Sequence, residues 1–279
     1  MRAAVDVLKA DATIGAVACQ VLDWEGTHVD FVDASLTWFG MGYKREVGDE
    51  AGEKHQTAKD VLFATGAAMF IRADVYRQFG GFDERFFMFY EDVDLGWRLN
   101  LAGLRVRYVP ESIAYHRHHV TMRKFGNFRE EFLLERNALF TLYKNYDDES
   151  LRRALPGAIA LAVRRGFSRA QDEPAPRGEN LNVEKSALTG VFAVDQFIKE
   201  LPSLAEDRAR IQASRVVPDS KLFPMFRHAL EPAYPDPDYL AAHEAIVAAF
   251  GIDQHFLSGS RVLVVTGEPI GDRLAGPAI

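Results

Sequence analysis

Apolar and polar positions along the chain alternate in a way that separates strands from helices. Ala3, Ala4, Val7 and Leu8 share one helical face, so the segment Met1 to Leu8 predicts a short amphipathic helix. Ile14 to Leu22 is a run of small and branched apolar residues bounded by Asp11-Ala12 and Asp23, the pattern of a buried strand. His28 to Tyr43 is irregular, and Phe31, Trp38 and Phe39 beside Gly40 and Gly42 suggest short strands around a loop that could line a pocket. Val61 to Ile71 predicts a second strong strand, interrupted at Thr65-Gly66-Ala67, and Ala73 to Phe79 a brief helix stopped by Gly80-Gly81. Glu91 to Ala102 predicts a helix, because acidic residues occupy its first turn and Gly103 follows its end. Leu104, Val106 and Tyr108 alternate with Arg105 and Arg107, a half-buried strand leading past Pro110 into Ile113 to His116.

Beyond this point the periodicity is helical, over Phe125 to Tyr146 and Ser150 to Arg165. Gln171 to Asn180 and Glu231 to Asp238 are polar, proline-containing linkers, with mostly amphipathic helical sequence between them. Arg261 to Thr266 predicts a last apolar strand before a Gly- and Pro-rich end.

Composition narrows the function classes. Hydrophobic residues make up 48% of 279 residues and charged residues 26%, the mix of a soluble globular protein with a full core. The net charge of −7, from 33 basic and 40 acidic side chains without a long basic run, argues against nucleic acid as a partner. Cys19 is the one cysteine, which excludes an intramolecular disulfide and fits a reducing compartment. No apolar stretch approaches the roughly 20 residues that span a bilayer.

Candidate chemistry concentrates between Leu62 and His119. Glu91, Asp92 and Asp94 fall on the first turn of a helix directly after Phe82, Phe86, Phe87, Phe89 and Tyr90. Burial there raises a carboxyl pKa and the helix N-terminus lowers it, so one acid could serve as a base while its neighbour stays ionised. An acidic pair in this position also has an ordinary role, as a helix cap. His116, His118 and His119 end the next strand, a density suited to a metal, and their spacing leaves open which of them would ligate. Thr65-Gly66-Ala67 is either a plain strand interruption or a loop whose backbone comes close to a sugar.

Taken together, Thr65-Gly66-Ala67-Ala68, Gly80-Gly81-Phe82-Asp83-Glu84, the run Phe86 to Leu95 (FFMFYEDVDL), Arg98-Leu99, Ala102-Gly103 and Val109-Pro110 through His116 resemble family-2 glycosyltransferases of the GT-A fold, in their rhamnosyltransferase-like branch. The resemblance implies an α/β fold and an inverting, metal-dependent hexosyltransferase acting in surface polysaccharide synthesis. It implies that Asp92 is the general base, that Glu91 orients the acceptor, and that Thr65, Gly66, Ala67 and Tyr90 line the acceptor site. It further implies that His116, with His118 as the fallback, ligates a divalent cation, Mg2+ or Mn2+. The expected partners are a nucleotide-sugar donor and a glycan or lipid-linked oligosaccharide acceptor. Asp94 and Arg98 are expected to fix the helix to the sheet.

The same resemblance implies an incomplete GT-A domain over residues 1–122, lacking its N-terminal nucleotide-binding half and that half's Asp-x-Asp element. Residues 123–260 then form a helical C-terminal extension and linker, and residues 261–279 resemble the start of a second, GT-B domain of the family-4 kind. The donor-binding half and the rest of that GT-B domain are expected in the parent chain, and without the donor-binding half the chain alone is expected to be nearly inactive. The location implied is cytoplasmic, with a peripheral place at the inner face of the cell membrane left open. Two readings from other classes stand beside it: a non-catalytic carbohydrate-binding or assembly module, and a zinc hydrolase built on the histidines, for which no His-Glu-x-x-His element is present.

Overall fold

The computed structural model describes residues 1–44, 46–117, 126–171 and 185–257. His118 and His119, residues 172–180 of the first linker, and the strand expected at Arg261 to Thr266 lie outside the described residues. Helix α1 (Arg2–Ala10) leads into β1 (Ile14–Leu22), followed by the short strands β2 (Val29–Phe31), β3 (Ser35–Leu36), β4 (Gly42–Tyr43), β5 (Lys59–Val61) and β6 (Met69–Ile71). Helices α2 (Ala73–Gln78) and α3 (Glu91–Leu101) then cross to β7 (Arg105–Tyr115). Six helices complete the described chain: α4 (Asn127–Asn145), α5 (Asp148–Gln171), α6 (Thr189–Ser214), α7 (Asp219–Phe226), α8 (Pro237–Phe250) and α9 (Ile252–Phe256).

The main sheet runs β2-β1-β7-β5, and β6 also pairs with β1. Only β1 and β7 are parallel, and the chain between them contains the α2 and α3 helices. Every residue of β1 is buried, which explains its unbroken apolar run: this strand is covered on both faces. Ile14 and Val17 pack with Val109 and with Ala4 of α1. The rest of the strand joins a larger core that includes Trp97 of α3, Leu142 of α4, Leu161 of α5 and Phe226 of α7. Trp97 meets Tyr146 and Phe226 edge-on at 5.0 Å each, so the later helices share the core of the sheet.

The expected strand Val61 to Ile71 is two strands instead. β5 pairs with β7 and β6 with β1, and the intervening Leu62, Phe63 and Ala64 are buried without strand pairing. Gly96 of α3 lies against Phe63, so this segment is buried by packing, and an apolar run reports burial more directly than pairing. β7 in turn continues through Pro110. Its register on β1 jumps from Val109 opposite Cys19 to Ile113 opposite Gln20, which accommodates a residue unable to donate to the ladder.

Candidate active site

α3 begins directly after a loop that holds three residues of unusual backbone, Phe87, Phe89 and Tyr90. Phe87 (φ 62, ψ −50) is the centre of a tight turn closed by Met88 N–H donating to the Phe86 carbonyl at 2.7 Å. Phe89 and Tyr90 also have positive φ, at 66 and 68°. Each such non-glycine residue costs about 1 kcal/mol or more, so the loop must be held by its surroundings. Its effect is to place Tyr90 at the helix start, without a side-chain cap, and Glu91, Asp92 and Asp94 in the first turn, as the sequence predicts.

Asp92 makes the contact that joins the two halves of the motif. Its Oδ2 accepts from the Gly66 N–H at 2.7 Å, and its Oδ1 from the Val93 N–H at 2.8 Å. It therefore satisfies a first-turn amide, as a cap would, and also holds the Thr65-Gly66-Ala67 loop 26 residues away. Burial raises the Asp92 carboxyl above the usual range, opposed by those amides and by the charge of Lys44. Burial also raises Glu91, reinforced by the negative charge of Asp92. Among the described residues none donates a hydrogen bond to the buried Glu91 Oε2.

Gly66 and Ala67 are exposed at the surface beside these acids, whereas Thr65 is buried. A Cβ on Gly66 would lie 3.5 Å from Glu91 Oε1 and 3.6 Å from Asp92 Oδ2, so the missing side chain leaves open the space next to both carboxylates. Tyr90 is buried, and its hydroxyl accepts from the Gly42 N–H at 2.8 Å. It thus fixes the β4 segment, the part of the irregular stretch that leads to Lys44.

His116 ends β7 with its Nδ1 2.6 Å from Asp30 Oδ2, and Asp30 Oδ1 also receives Lys44 Nζ at 3.0 Å. A carboxylate on Nδ1 favours the tautomer with the proton there, the arrangement of a metal-ligating imidazole. That donor chemistry suits a divalent cation. Among the described residues no group of three or more His, Cys, Asp and Glu side chains is arranged to hold a metal. His118 cannot be compared with His116, since it lies outside the described residues.

Asp94 and Arg98 differ from expectation. They do not tie α3 to the sheet. Asp94 is fully buried and receives Arg98 Nε at 2.8 Å, Lys144 Nζ at 2.9 Å and Asn145 Nδ2 at 2.9 Å. Arg98 also donates to the Phe79 and Gly81 carbonyls, and Lys144 to Asp83 at 2.7 Å. The cluster pins α3 to the Gly80-Gly81 turn and to α4. Burial alone would raise the Asp94 carboxyl, and the charges of Arg98 and Lys144 outweigh it, holding it below the ordinary range. Sequence reasoning also missed Asp30, Lys44 and Asn137, which carry no local signal: each matters through a partner far away in the chain.

Known proteins are similar to this chain over the segment that holds these residues. The family model described as glycosyltransferase like family 2 matches residues 3–131. The N-acetylglucosaminyl-diphospho-decaprenol L-rhamnosyltransferase of Mycobacterium tuberculosis is 44% identical over 66 residues, 23% of this chain and 22% of that protein. Rhamnosyltransferase WbbL of Escherichia coli is 42% identical over 65 residues, 23% of this chain and 25% of that protein. The O-antigen biosynthesis protein RfbC of Myxococcus xanthus is 37% identical over 99 residues, 33% of this chain and 8% of that protein. The chain thus spans about a quarter or less of the length of these relatives. Among solved structures, GalNAc-T7 with UDP, GalNAc and Mn2+ aligns with a TM-score of 0.40 and 12% identity, over 72% of this chain and 38% of that one. Residues 3–131, which carry Gly66, Glu91, Asp92 and His116, match the family-2 glycosyltransferase model, and the relatives similar to this chain include rhamnosyltransferases.

Proposed function

We propose that this chain supplies the acceptor side of an inverting, metal-dependent glycosyl transfer in surface polysaccharide synthesis. The observation that carries the reading is the 2.7 Å bond from Gly66 N–H to Asp92 Oδ2, which sets a carboxylate of raised basicity against an exposed loop with no side chain in the way. An acceptor hydroxyl seated over Gly66 and Ala67 gives its proton to Asp92 as its oxygen attacks the anomeric carbon of a nucleotide sugar. The new glycosidic bond forms as the bond to the nucleoside diphosphate breaks, with inversion. Glu91, whose Oε1 borders the open space at Gly66, accepts a second hydroxyl and orients the acceptor. His116, tautomerically set by Asp30, would hold a divalent cation, Mg2+ or Mn2+, whose charge stabilises the departing diphosphate.

The acceptor class that fits is a glycan or lipid-linked oligosaccharide. Among the described residues no helix is long and apolar enough to cross a membrane. A nucleotide-sugar donor fits a cytoplasmic site, where a lipid-linked acceptor would be met peripherally at the inner face of the membrane.

The test is Asp92→Asn in a transferase-competent polypeptide containing this chain, assayed with a panel of nucleotide sugars and Mg2+ or Mn2+. A general base contributes 10²–10⁴-fold, so kcat is expected to fall by about that factor. Stability should stay within about 1 kcal/mol, because relief of carboxylate burial offsets the one amide bond lost where the Asn Nδ2 replaces an accepting oxygen. Retained turnover with lost stability would make Asp92 a cap instead. The 279-residue chain by itself is expected to transfer negligible sugar, since donor, cation and base must be held together; metal-dependent turnover by it would refute that expectation.

A further inference from the structure

The strained loop before Glu91 is held from outside the segment that matches the family. Asn137 of α4 is fully buried, and its Nδ2 donates to three carbonyls of that loop: Phe86 at 3.0 Å, Met88 at 2.7 Å and Phe89 at 2.9 Å. One of its two N–H groups is therefore shared. Arg136 sets the amide orientation, because its Nε donates to Asn137 Oδ1 at 2.9 Å. Arg136 extends the grip, with Nη2 donating to the Arg85 carbonyl at 2.9 Å and the Phe86 carbonyl at 3.0 Å. These bonds fall on both sides of Phe87 and end one residue before Tyr90, in the stretch where Phe87, Phe89 and Tyr90 all have positive φ. Backbone carbonyls turned outward by such a path have no strand or helix partner to donate to them, and Asn137 supplies donors to three at once.

We propose that Asn137, supported by Arg136, is a positioning residue of the transfer site: it holds the Phe86 to Tyr90 loop in the conformation that sets Asp92 against Gly66. The helices that follow the sheet are then part of the catalytic apparatus and not only its attachment. This rests on the reading of Asp92 given above, yet its test needs no substrate.

The measurement is the Gly66 amide signal in the full 279-residue chain, followed by NMR and hydrogen exchange. Asn137→Leu and Asn137→Asp keep the size of the side chain and remove its donors. Both are expected to speed exchange at Gly66 at least tenfold beyond their effect on global stability, and to abolish the titration of the Gly66 amide with Asp92. Leu161→Ala, a cavity at a fully buried position of α5, should lower stability and leave the Gly66 signal in place. A Gly66 amide unchanged in both Asn137 variants overturns the proposal, as does an identical response in Leu161→Ala. Should the Asn137 variants fail to fold, the wild-type chain decides: slowly exchanging Asn137 Nδ2 protons support the clamp, and solvent-rate exchange refutes it. If Asp92→Asn leaves transfer intact, the assignment of the base fails, while the clamp is still judged on Gly66 alone.

Discussion

Replacing Gly96 with alanine should reverse the usual effect of that substitution. In the middle of an exposed helix Gly→Ala stabilises by about 1 kcal/mol. Gly96 is in the second turn of α3, and a Cβ there would stand 2.4 Å from Phe63 Cβ, 2.6 Å from Phe63 Cα and 2.8 Å from the Leu62 carbonyl oxygen. Two of these three neighbours are backbone atoms, which cannot swing aside. Ordinary contact begins at 3.4 Å, so α3 and the 62–64 segment must separate by about 1 Å (3.4 − 2.4). Overpacking of that kind costs about 1–3 kcal/mol, which outweighs the gain in helix propensity. The same separation draws Asp92 away from the Gly66 N–H, now at 2.7 Å, beyond hydrogen-bond reach, and strains the Asn100 Nδ2 bond to the Leu62 carbonyl at 2.9 Å. Denaturant melts of the wild type and Gly96→Ala, with the Gly66 amide shift recorded on both, are the assay. A variant as stable as the wild type with an unmoved Gly66 resonance would refute the view that this contact sets the spacing of base and loop.

Lys144→Met leaves Asp94 and Asp83 buried with one cation fewer, and unfolding free energy at pH 7 should fall by about 3 kcal/mol. Burial would raise both carboxyls, yet their cationic partners hold both below the ordinary range, so their contribution is present above the unfolded value near 3.9 and is lost as pH falls through the folded values. The difference between wild type and Lys144→Met should accordingly shrink below about pH 4, and a gap that stays constant from pH 7 to 3 would contradict this account. Asp30→Asn removes the carboxylate that sets the His116 tautomer; in the presence of a nucleotide sugar, Mn2+ affinity read by EPR titration should weaken by about 10–100-fold. Unchanged affinity would remove His116 from the cation site.

Some elements could be read in advance because their cause is local. β1 has the bounds expected from its apolar run, and α3 starts at Glu91 because its acids and the following Gly103 mark its ends. The strand expected at Val61 to Ile71 failed for a physical reason: Leu62 to Ala64 is apolar because α3 covers it, and side-chain burial leaves no trace of which backbone groups pair. Asp94 and Arg98 were legible as a structural pair, but the turn and helix they grip were not.

The order of residues alone determined the candidate chemistry: an acid pair after an aromatic loop, a glycine in a strand interruption and a histidine at a strand end. Tertiary structure decided which of these meet. Only the fold brings Gly66 to Asp92, Asp30 to His116 and Asn137 to the loop before Glu91. Residue types and periodicity encode what a segment prefers to bury or cap. The partner 26, 86 or 48 positions away is chosen by how the packed elements close on one another.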